Sequence, residues 1–301
     1  MMCELSVVLP AYHEAGIVGE VVGRIRKRFP EAEILVVDDS SSDATATEAE
    51  NAGARVVRHL YNMGNGAAIK TGARHAKGET LVFMDADGQH DEQDIEKLLE
   101  KIDAGYELVV GSRAGDTHAN IGRSLGNQLL NKFASLMTGR TIPDLTSGFR
   151  AVKRDTFRQF IHLLPNGFSY PTTSTMAYYR SGYPVVFVPI KALPRKGKSK
   201  ISFARDGIRF MVVIMKVTTL FSPMRLFFPA SLMVLFLGFG RYLYFYWLTG
   251  SFSSMAGVMF ITAMLVFLIG LVSEQITALH YGISRSKMSS HEPVGNQETL
   301  R

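Results

Sequence analysis

The 301-residue chain is 47% hydrophobic, with a mean hydropathy of +0.09 and a formal charge of +6, too apolar and too sparsely charged to stay disordered. Its single cysteine, Cys3, excludes an internal disulfide and, without partners from elsewhere, a thiolate zinc site, which suits a reducing compartment. Residues 1–190 carry 20 basic and 23 acidic side chains, residues 191–225 nine against one, and residues 226–301 four against three; a slightly acidic body with a basic collar is not the basic globule expected of a nucleic-acid binder.

The N-terminus, Met1–Pro10, has no signal-peptide pattern and reads as a strand. Apolar β-rich runs recur at Leu5–Leu9, Ile34–Val37, Arg55–Val57, Thr80–Met84 and Leu108–Val110, with helical patterns between them at 16–29, 43–52, 65–76 and 91–104. This alternation predicts an α/β fold with a mostly parallel, doubly wound sheet and helices on both faces. Ligands of such sheets bind beyond the carboxyl ends of the strands, so the residues after each run are the first candidates for a site. Pro10-Ala11-Tyr12-His13-Glu14 after the first strand lacks the GxGxxG of a dinucleotide-binding unit. Gly197-Lys198-Ser199 lacks the upstream glycine of a P-loop, because Ala192 stands there.

The second strand is followed by Asp38-Asp39-Ser40-Ser41-Ser42-Asp43. Ser42 or Asp43 suits a helix N-cap, but two adjacent carboxylates at a strand end also suit hydrogen bonding to a nucleotide base or ribose. Gly64-Asn65-Gly66 reads as a tight turn opening a helix, with no phosphate role. After the fourth strand, Asp85-Ala86-Asp87-Gly88-Gln89-His90 sets two hard oxygen ligands on one side of the chain, with Gln89 able to add a carbonyl oxygen; Mg²⁺ or Mn²⁺ holding a diphosphate is the matching chemistry. The other histidines form no HxxxH or HExxH pattern. Segment 120–139 places Leu125, Leu129, Phe133 and Leu136 near one face; a core-facing helix is the better reading and a border to a lipid acceptor the other. A further helix is expected at 168–181.

The collar, 191–225, holds Arg195, Lys196, Lys198 and Lys200 around Gly197 and leads into 205–221, an interfacial amphipathic segment with Arg205, Arg209 and Lys216 on its polar side. From Leu226 to Leu248 the only charge is Arg241, and none lies between Arg241 and Glu274. About 20 apolar helical residues cross a bilayer, so two transmembrane helices are expected at 226–248 and 255–279, broken at Thr249-Gly250-Ser251. Tyr242, Tyr244, Tyr246 and Trp247 form an aromatic belt at the end of the first. The positive-inside rule places the collar, the body and a polar tail on the cytoplasmic side. The organisation read is thus 1–204 catalytic domain, 205–225 juxtamembrane segment, 226–279 hairpin and 280–301 tail, disordered from 285.

Taken together, VVLPAYHE (7–14), VVDDSSSD (36–43), FMDADGQH (83–90), GSR (111–113), DLTSGFRA (144–151) and RKGKSKI (195–201) make residues 5–225 resemble glycosyltransferase family 2, with its Rossmann-like GT-A fold, and within it the polyprenyl-phosphate glycosyltransferases such as dolichyl-phosphate mannosyltransferase. The resemblance implies that Pro10, Tyr12 and Glu14 line a nucleoside pocket with Val37 and Asp39 beside the base. It implies that Asp85, Ala86 and Asp87 contact the sugar diphosphate and that Asp85, Asp87 and Gln89 hold the divalent metal. Arg113 and the loop Arg195, Lys196, Lys198, Ser199 and Lys200 would close over phosphates. Asp87 and Asp144 are the catalytic candidates, Asp144 standing where relatives with hydroxyl acceptors carry a base; it serves equally as a residue that orders its turn. His13 stands where asparagine is common, Thr172-Thr173-Ser174 where many relatives carry a carboxylate, and the QxxRW motif of processive synthases is missing.

The reading that follows is metal-dependent, inverting transfer of a hexose of the mannose or glucose class from a GDP- or UDP-sugar to a polyprenyl (dolichyl or undecaprenyl) phosphate at the cytoplasmic membrane face. Its partners are the donor, the lipid acceptor and membrane lipids, with a homo-oligomer left open and no nucleic acid. The rivals are a transferase to a lipid or glycan hydroxyl and a membrane-anchored nucleotide-sugar-binding protein without activity.

Overall fold

The computed structural model describes residues 5–113, 139–167, 169–190 and 222–289, with single positions 128, 131, 132, 134, 135 and 219. The loop Arg195–Lys200, the segment 205–221 except Thr219, and the tail beyond 289 lie outside the described residues. The chain divides into two units, Met1–Ile214 and Met215–Arg301.

The first unit runs β1 (Leu5–Ala11), α1 (Val18–Arg28), β2 (Glu33–Asp38), α2 (Thr45–Asn51), β3 (Arg55–Arg58), α3 (Asn65–His75), β4 (Thr80–Phe83), α4 (Asp94–Asp103), β5 (Leu108–Arg113), β6 (Arg150–Lys153), α5 (Arg154–Phe160), a 3₁₀ turn (Ile161–Leu163), α6 (Tyr170–Arg180) and β7 (Val185–Ile190). The strands form one sheet in the order β3-β2-β1-β4-β6-β5-β7. Every expected strand is present, and every pairing is parallel except those of β6, which runs antiparallel between β4 and β5.

Strands β6 and β7 are additional to the expected five. Four residues after a turn-rich stretch give β6 too short a signature, and β7 carries Pro189, which an edge strand tolerates because one side of it needs no ladder.

Strand periodicity sends alternate residues to opposite faces. On one face Val7, Leu9, Ile34, Val36, Val82 and Val109 pack with Val21, Val22 and Ile25 of α1 and Ile95, Leu98 and Ile102 of α4. The other face meets α3, α5 and α6: a Cβ on Gly72 of α3 would stand 2.2 Å from Val8, and the Phe83 and Phe157 rings are 4.8 Å apart. Both faces are covered, which explains why the strands read as continuous apolar runs.

The second unit contains α7 (Met224–Thr249) and α8 (Ser254–Ser289). Windows within Met224–Thr249 and Ser254–Leu279 have mean hydropathies of 1.6 and 2.6, so two helices are long and apolar enough to cross a membrane. Gly250, left-handed at φ 65°, ends α7 by donating its N–H to the Tyr246 carbonyl at 2.8 Å, as the expected break at 249–251 requires. Tyr242 packs on Tyr246 and Phe252 at that end. The helices approach closely where they have glycines: a Cβ on Gly270 would fall 2.7 Å from the Phe227 Cβ, and one on Gly238 3.0 Å from that of Met259. Helix α8 continues to Ser289, past the expected start of a disordered tail at 285; no proline follows until Pro293, so nothing stops it earlier.

Candidate active site

The sheet order changes direction at β1, with β2 on one side and β4 on the other, and a crevice opens at such a switch point beyond the strand ends. The β1–β4 ladder stops at Val8 and Phe83 while the β1–β2 ladder continues to Ala11 and Asp38. Pro10 points its missing N–H toward the side where the ladder has already ended, so proline costs no sheet hydrogen bond there. Because β6 is antiparallel, the turn 144–149 that feeds it arrives at the same edge of the sheet as the ends of β1 to β5.

The turn after β1 is held by its backbone. The N–H groups of His13, Glu14 and Gly16 donate to Ser41 Oγ (3.0 Å), Thr45 Oγ1 (2.9 Å) and Glu48 Oε2 (2.6 Å), and that of Ala15 reaches Asp43 Oδ2 at 3.4 Å. His13 sits at φ 57°, a left-handed conformation for which asparagine and histidine are enriched. The position thus asks for a backbone conformation that histidine and asparagine both adopt, and the imidazole lies 4.1 Å from the Tyr12 ring. Tyr12 is left 46% exposed at the mouth of the crevice.

Asp38 and Asp39 are both buried but differently used. Asp38 accepts the Ser41 N–H at 2.9 Å and pairs with Arg58 Nε at 3.1 Å. Asp39 Oδ1 accepts the Met63 N–H (2.8 Å) and lies 2.7 Å from His59 Nδ1; Oδ2 accepts the Gly64 N–H at 2.7 Å. His59 is itself fixed by Thr71 Oγ1 at 2.9 Å from Nε2. Asp39 thereby folds the β3–α3 loop back over the end of β2.

After β4, Asp87 Oδ1 accepts the Gln89 N–H at 3.1 Å, and Gly88 turns the chain at φ 72°. Asp85 is the centre of this region. Burial raises its pKa, but hydrogen bonding and charge from His90, the charge of Arg113 and hydrogen bonding from Asn65 outweigh that and hold it below the ordinary carboxylate range. His90 Nε2 lies 3.9 Å from Asp85 Oδ2, with the His90 ring stacked on Phe149 at 4.9 Å. A Cβ on Gly148 would stand 3.2 Å from Asp85 Oδ2, so glycine lets the 144–149 turn close on this carboxylate.

Asn65 reaches Asp85 because α3 starts hard against the segment before α6: Cβ atoms on Gly64 and Gly66 would stand 2.6 Å from the Asn166 carbonyl oxygen and 2.2 Å from that of Pro165. His90 and Asn65 are thus site residues that carried no assigned role in the sequence reading. The available signals were the histidine closing FMDADGQH and the two glycines flanking one asparagine.

Arg113, at the end of β5, grips Asp144 with Nε at 2.8 Å from Oδ2 and Nη2 at 3.1 Å from Oδ1, and Thr146 donates its N–H and hydroxyl to Oδ1, each at 3.1 Å. Burial raises the Asp144 pKa, and the Arg113 hydrogen bonds and charge together with the Thr146 N–H bring it below the usual range. Asn131 braces the turn from outside, donating to the Pro143 carbonyl (2.6 Å) and accepting from the Leu145 N–H (3.0 Å); positions 131, 132, 134 and 135 of the expected amphipathic segment are helical.

Beneath lies Arg150, fully buried, bonded to the Ser147 and Pro171 carbonyls and to Ser174 Oγ at 2.8 Å. Its hydrogen-bond partners are all neutral oxygens, supplied by the 144–149 turn and by α6.

Of the expected site residues, Pro10, Tyr12, Glu14, Asp39, Asp85, Asp87, Gln89, Arg113 and Asp144 share this edge. Val37 is fully buried, and the methyl of Ala86 belongs to the core, so both can offer a ligand only backbone atoms. Among the described residues no three His, Cys, Asp or Glu side chains gather to hold a metal. Two carboxylates, one kept ionised, and an amide nevertheless fit Mg²⁺ or Mn²⁺, which binds through one or two carboxylates and leaves the other positions to phosphate oxygens and water.

Residues 6–161 match the model of glycosyl transferase family 2, and residues 222–279 match the GtrB C-terminal hairpin. The glycosyltransferase AglJ of Haloferax volcanii is 28% identical over 92% of this chain and 94% of its own. The polyprenol monophosphomannose synthase of Mycolicibacterium smegmatis is 31% identical over 65% of this chain and 80% of its own. Among solved structures, glucosyl-3-phosphoglycerate synthase of Mycobacterium tuberculosis, crystallised with Mn²⁺ and UDP, superposes with a TM-score of 0.59 at 19% identity, covering 72% of this chain and 78% of that one; at that identity the likeness is one of fold.

Proposed function

The chain belongs to glycosyl transferase family 2, and from that membership we propose that it transfers a hexose, with inversion, from a nucleotide diphosphate sugar to a polyprenyl phosphate at the cytoplasmic face of a membrane. The observation that carries the choice of acceptor is the state of Asp144. A hydroxyl acceptor needs a general base, and Asp144, the candidate for that role, is held by Arg113 and depressed in pKa. A phosphate monoester, with a second pKa near 6, is largely dianionic at neutral pH and attacks without one. The polyprenol monophosphomannose synthase above and an undecaprenyl-phosphate mannosyltransferase of Micrococcus luteus, each 31% identical, support the same acceptor.

In this reading Pro10, Tyr12 and Glu14 line the nucleoside side of the crevice, with Tyr12 exposed to meet a ring, and Asp39 faces the base. Asp85, Asp87 and Gln89 hold Mg²⁺ or Mn²⁺, which would neutralise charge on the departing diphosphate. Asn65 and His90 keep Asp85 ionised and oriented toward the donor. Arg113 orders the turn through Asp144 and presents positive potential to the phosphates. The collar residues Arg195, Lys196, Lys198, Ser199 and Lys200 receive the acceptor phosphate, and their charge sets the hairpin's orientation.

The test is incubation of the full chain in detergent with Mg²⁺ or Mn²⁺, a short polyprenyl phosphate and a panel of labelled nucleotide sugars. Lipid-linked product that disappears with chelator and returns with metal is expected. Transfer to a hydroxyl acceptor alone refutes the proposal.

A further inference from the structure

Among the described residues Arg150 is the only lysine or arginine that is buried. Its Nε and Nη2 both donate to the Ser147 carbonyl, and Nη1 donates to the Pro171 carbonyl (3.0 Å), Ser174 Oγ (2.8 Å) and Thr175 Oγ1 (3.3 Å). These oxygens are all neutral, and the phenols of Tyr170 and Tyr178 nearby are pushed up in pKa by burial and stay protonated. Burial lowers the Arg150 pKa as well, but a guanidinium keeps its proton inside a protein. A full positive charge therefore stands in the interior, bonded to no carboxylate among the described residues, and such a charge is costly to keep.

That charge is one ring and one turn away from Asp85. The Arg150 Cζ lies 5.7 Å from the centre of the Tyr170 ring, the Tyr170 hydroxyl donates to the Gly148 carbonyl at 3.2 Å, and a Cβ on Gly148 would stand 3.4 Å from that hydroxyl and 3.2 Å from Asp85 Oδ2. The carboxylates whose charge reaches Arg150 are Asp144, already gripped by Arg113, and Asp85. Packed protein fills the interval, so salt screens the field little. We propose that Arg150 is a positioning residue that touches no ligand: a fixed positive charge that draws a diphosphate to Asp85 and opposes a lone divalent cation there, so that the metal enters with the nucleotide and not ahead of it. This rests on the reading that Asp85, Asp87 and Gln89 hold metal and diphosphate. With two carboxylates and an amide as its protein ligands, the metal depends on phosphate oxygens to complete its shell, which favours the same order. At about 10 Å and an effective dielectric of about 20, two unit charges shift an equilibrium roughly tenfold, with opposite signs for a cation and an anion.

The test compares the full chain in detergent with Arg150→Gln, which removes the charge but keeps amide hydrogens for the carbonyls, and with Arg150→Lys, which keeps the charge and loses the planar fork. Mn²⁺ alone is titrated by electron paramagnetic resonance of the free ion, and UDP and GDP by calorimetry at saturating Mn²⁺. Arg150→Gln is expected to bind Mn²⁺ at least about threefold more tightly and the nucleotide at least about threefold more weakly, while Arg150→Lys restores both affinities even where it melts lower than wild type. Both affinities falling together in Arg150→Gln, or neither changing, overturns the inference, because a merely structural arginine loosens the site for cation and anion alike. If Arg150→Gln does not fold, Arg150→Lys decides: affinities near those of wild type support the charge, and a joint loss overturns it. A wild-type chain that binds neither nucleotide refutes the donor-site reading itself, whereas nucleotide binding without the opposed shifts refutes only the role given to Arg150.

Discussion

Replacing Asp144 by asparagine separates a base from a bracket, because it keeps the shape of the side chain and removes its charge. In the native turn the two carboxylate oxygens take Arg113 at 2.8 and 3.1 Å, and Oδ1 also takes the Thr146 N–H and hydroxyl. Asparagine turns one acceptor into a donor facing a guanidinium. A hydrogen bond to a charged group contributes about 1.5–3 kcal/mol, but the Arg113 side chain is 41% exposed and water recovers part of it, so the expected loss of stability is about 1–2 kcal/mol.

The folded-state pKa of Asp144 is depressed. Its contribution is therefore complete above the ordinary carboxylate value of about 3.9 and disappears as pH falls through the lower folded value. Melting temperatures of Asp144→Asn and wild type should differ most near neutrality and converge below about pH 4. A general base contributes about 10²–10⁴-fold; a bracket does not. Initial rates of lipid-linked product, normalised to folded protein, are expected to stay within about tenfold of wild type. A fall of a hundredfold or more in a protein that still melts within a few degrees of wild type refutes the reasoning and restores a hydroxyl acceptor.

Alanine at Gly66 should gain about 0.5–1 kcal/mol of helix propensity, yet its Cβ would stand 2.2 Å from the Pro165 carbonyl oxygen and 2.7 Å from that of Gly167. Overpacking against backbone costs about 1–3 kcal/mol, so the net change should be a lower melting temperature, and an unchanged or raised one counts against this packing. In the hairpin, Gly270→Leu should destabilise the detergent-solubilised protein by about 1–3 kcal/mol because Phe227 and Met224 occupy the space. Gly240→Leu, which meets nothing within 4 Å, should not; equal melting of the two variants would show that α7 and α8 do not pack through Gly270.

What the sequence discloses is what stays local. The turns after β1, β2 and β4 are legible because each directly follows a contiguous apolar run, and the hairpin because its composition is extreme. Strand β6 is not, since its place is decided by partners far along the chain, Thr80 opposite Lys153 and Phe83 opposite Arg150. The same insertion brings Gly148 against Asp85 and Asp144 to Arg113, so a site divided among three sequence motifs becomes one constellation only when the sheet closes.

Arg150 shows the converse: a charge at the head of a short strand is visible in sequence, but that its partners are neutral follows only from the seat of α6. The adjacent carboxylates after β2 go further. Composition treats Asp38 and Asp39 alike, and alternation along the strand separates them. Asp38, the last residue of β2, is fully buried and spent on Arg58 and Ser41. Asp39, one residue past the strand, holds the β3–α3 loop through the Met63 and Gly64 N–H groups and His59. Two carboxylates that are identical in composition thus tie two different loops to the end of one strand, a division decided by alternation and by partners distant in sequence.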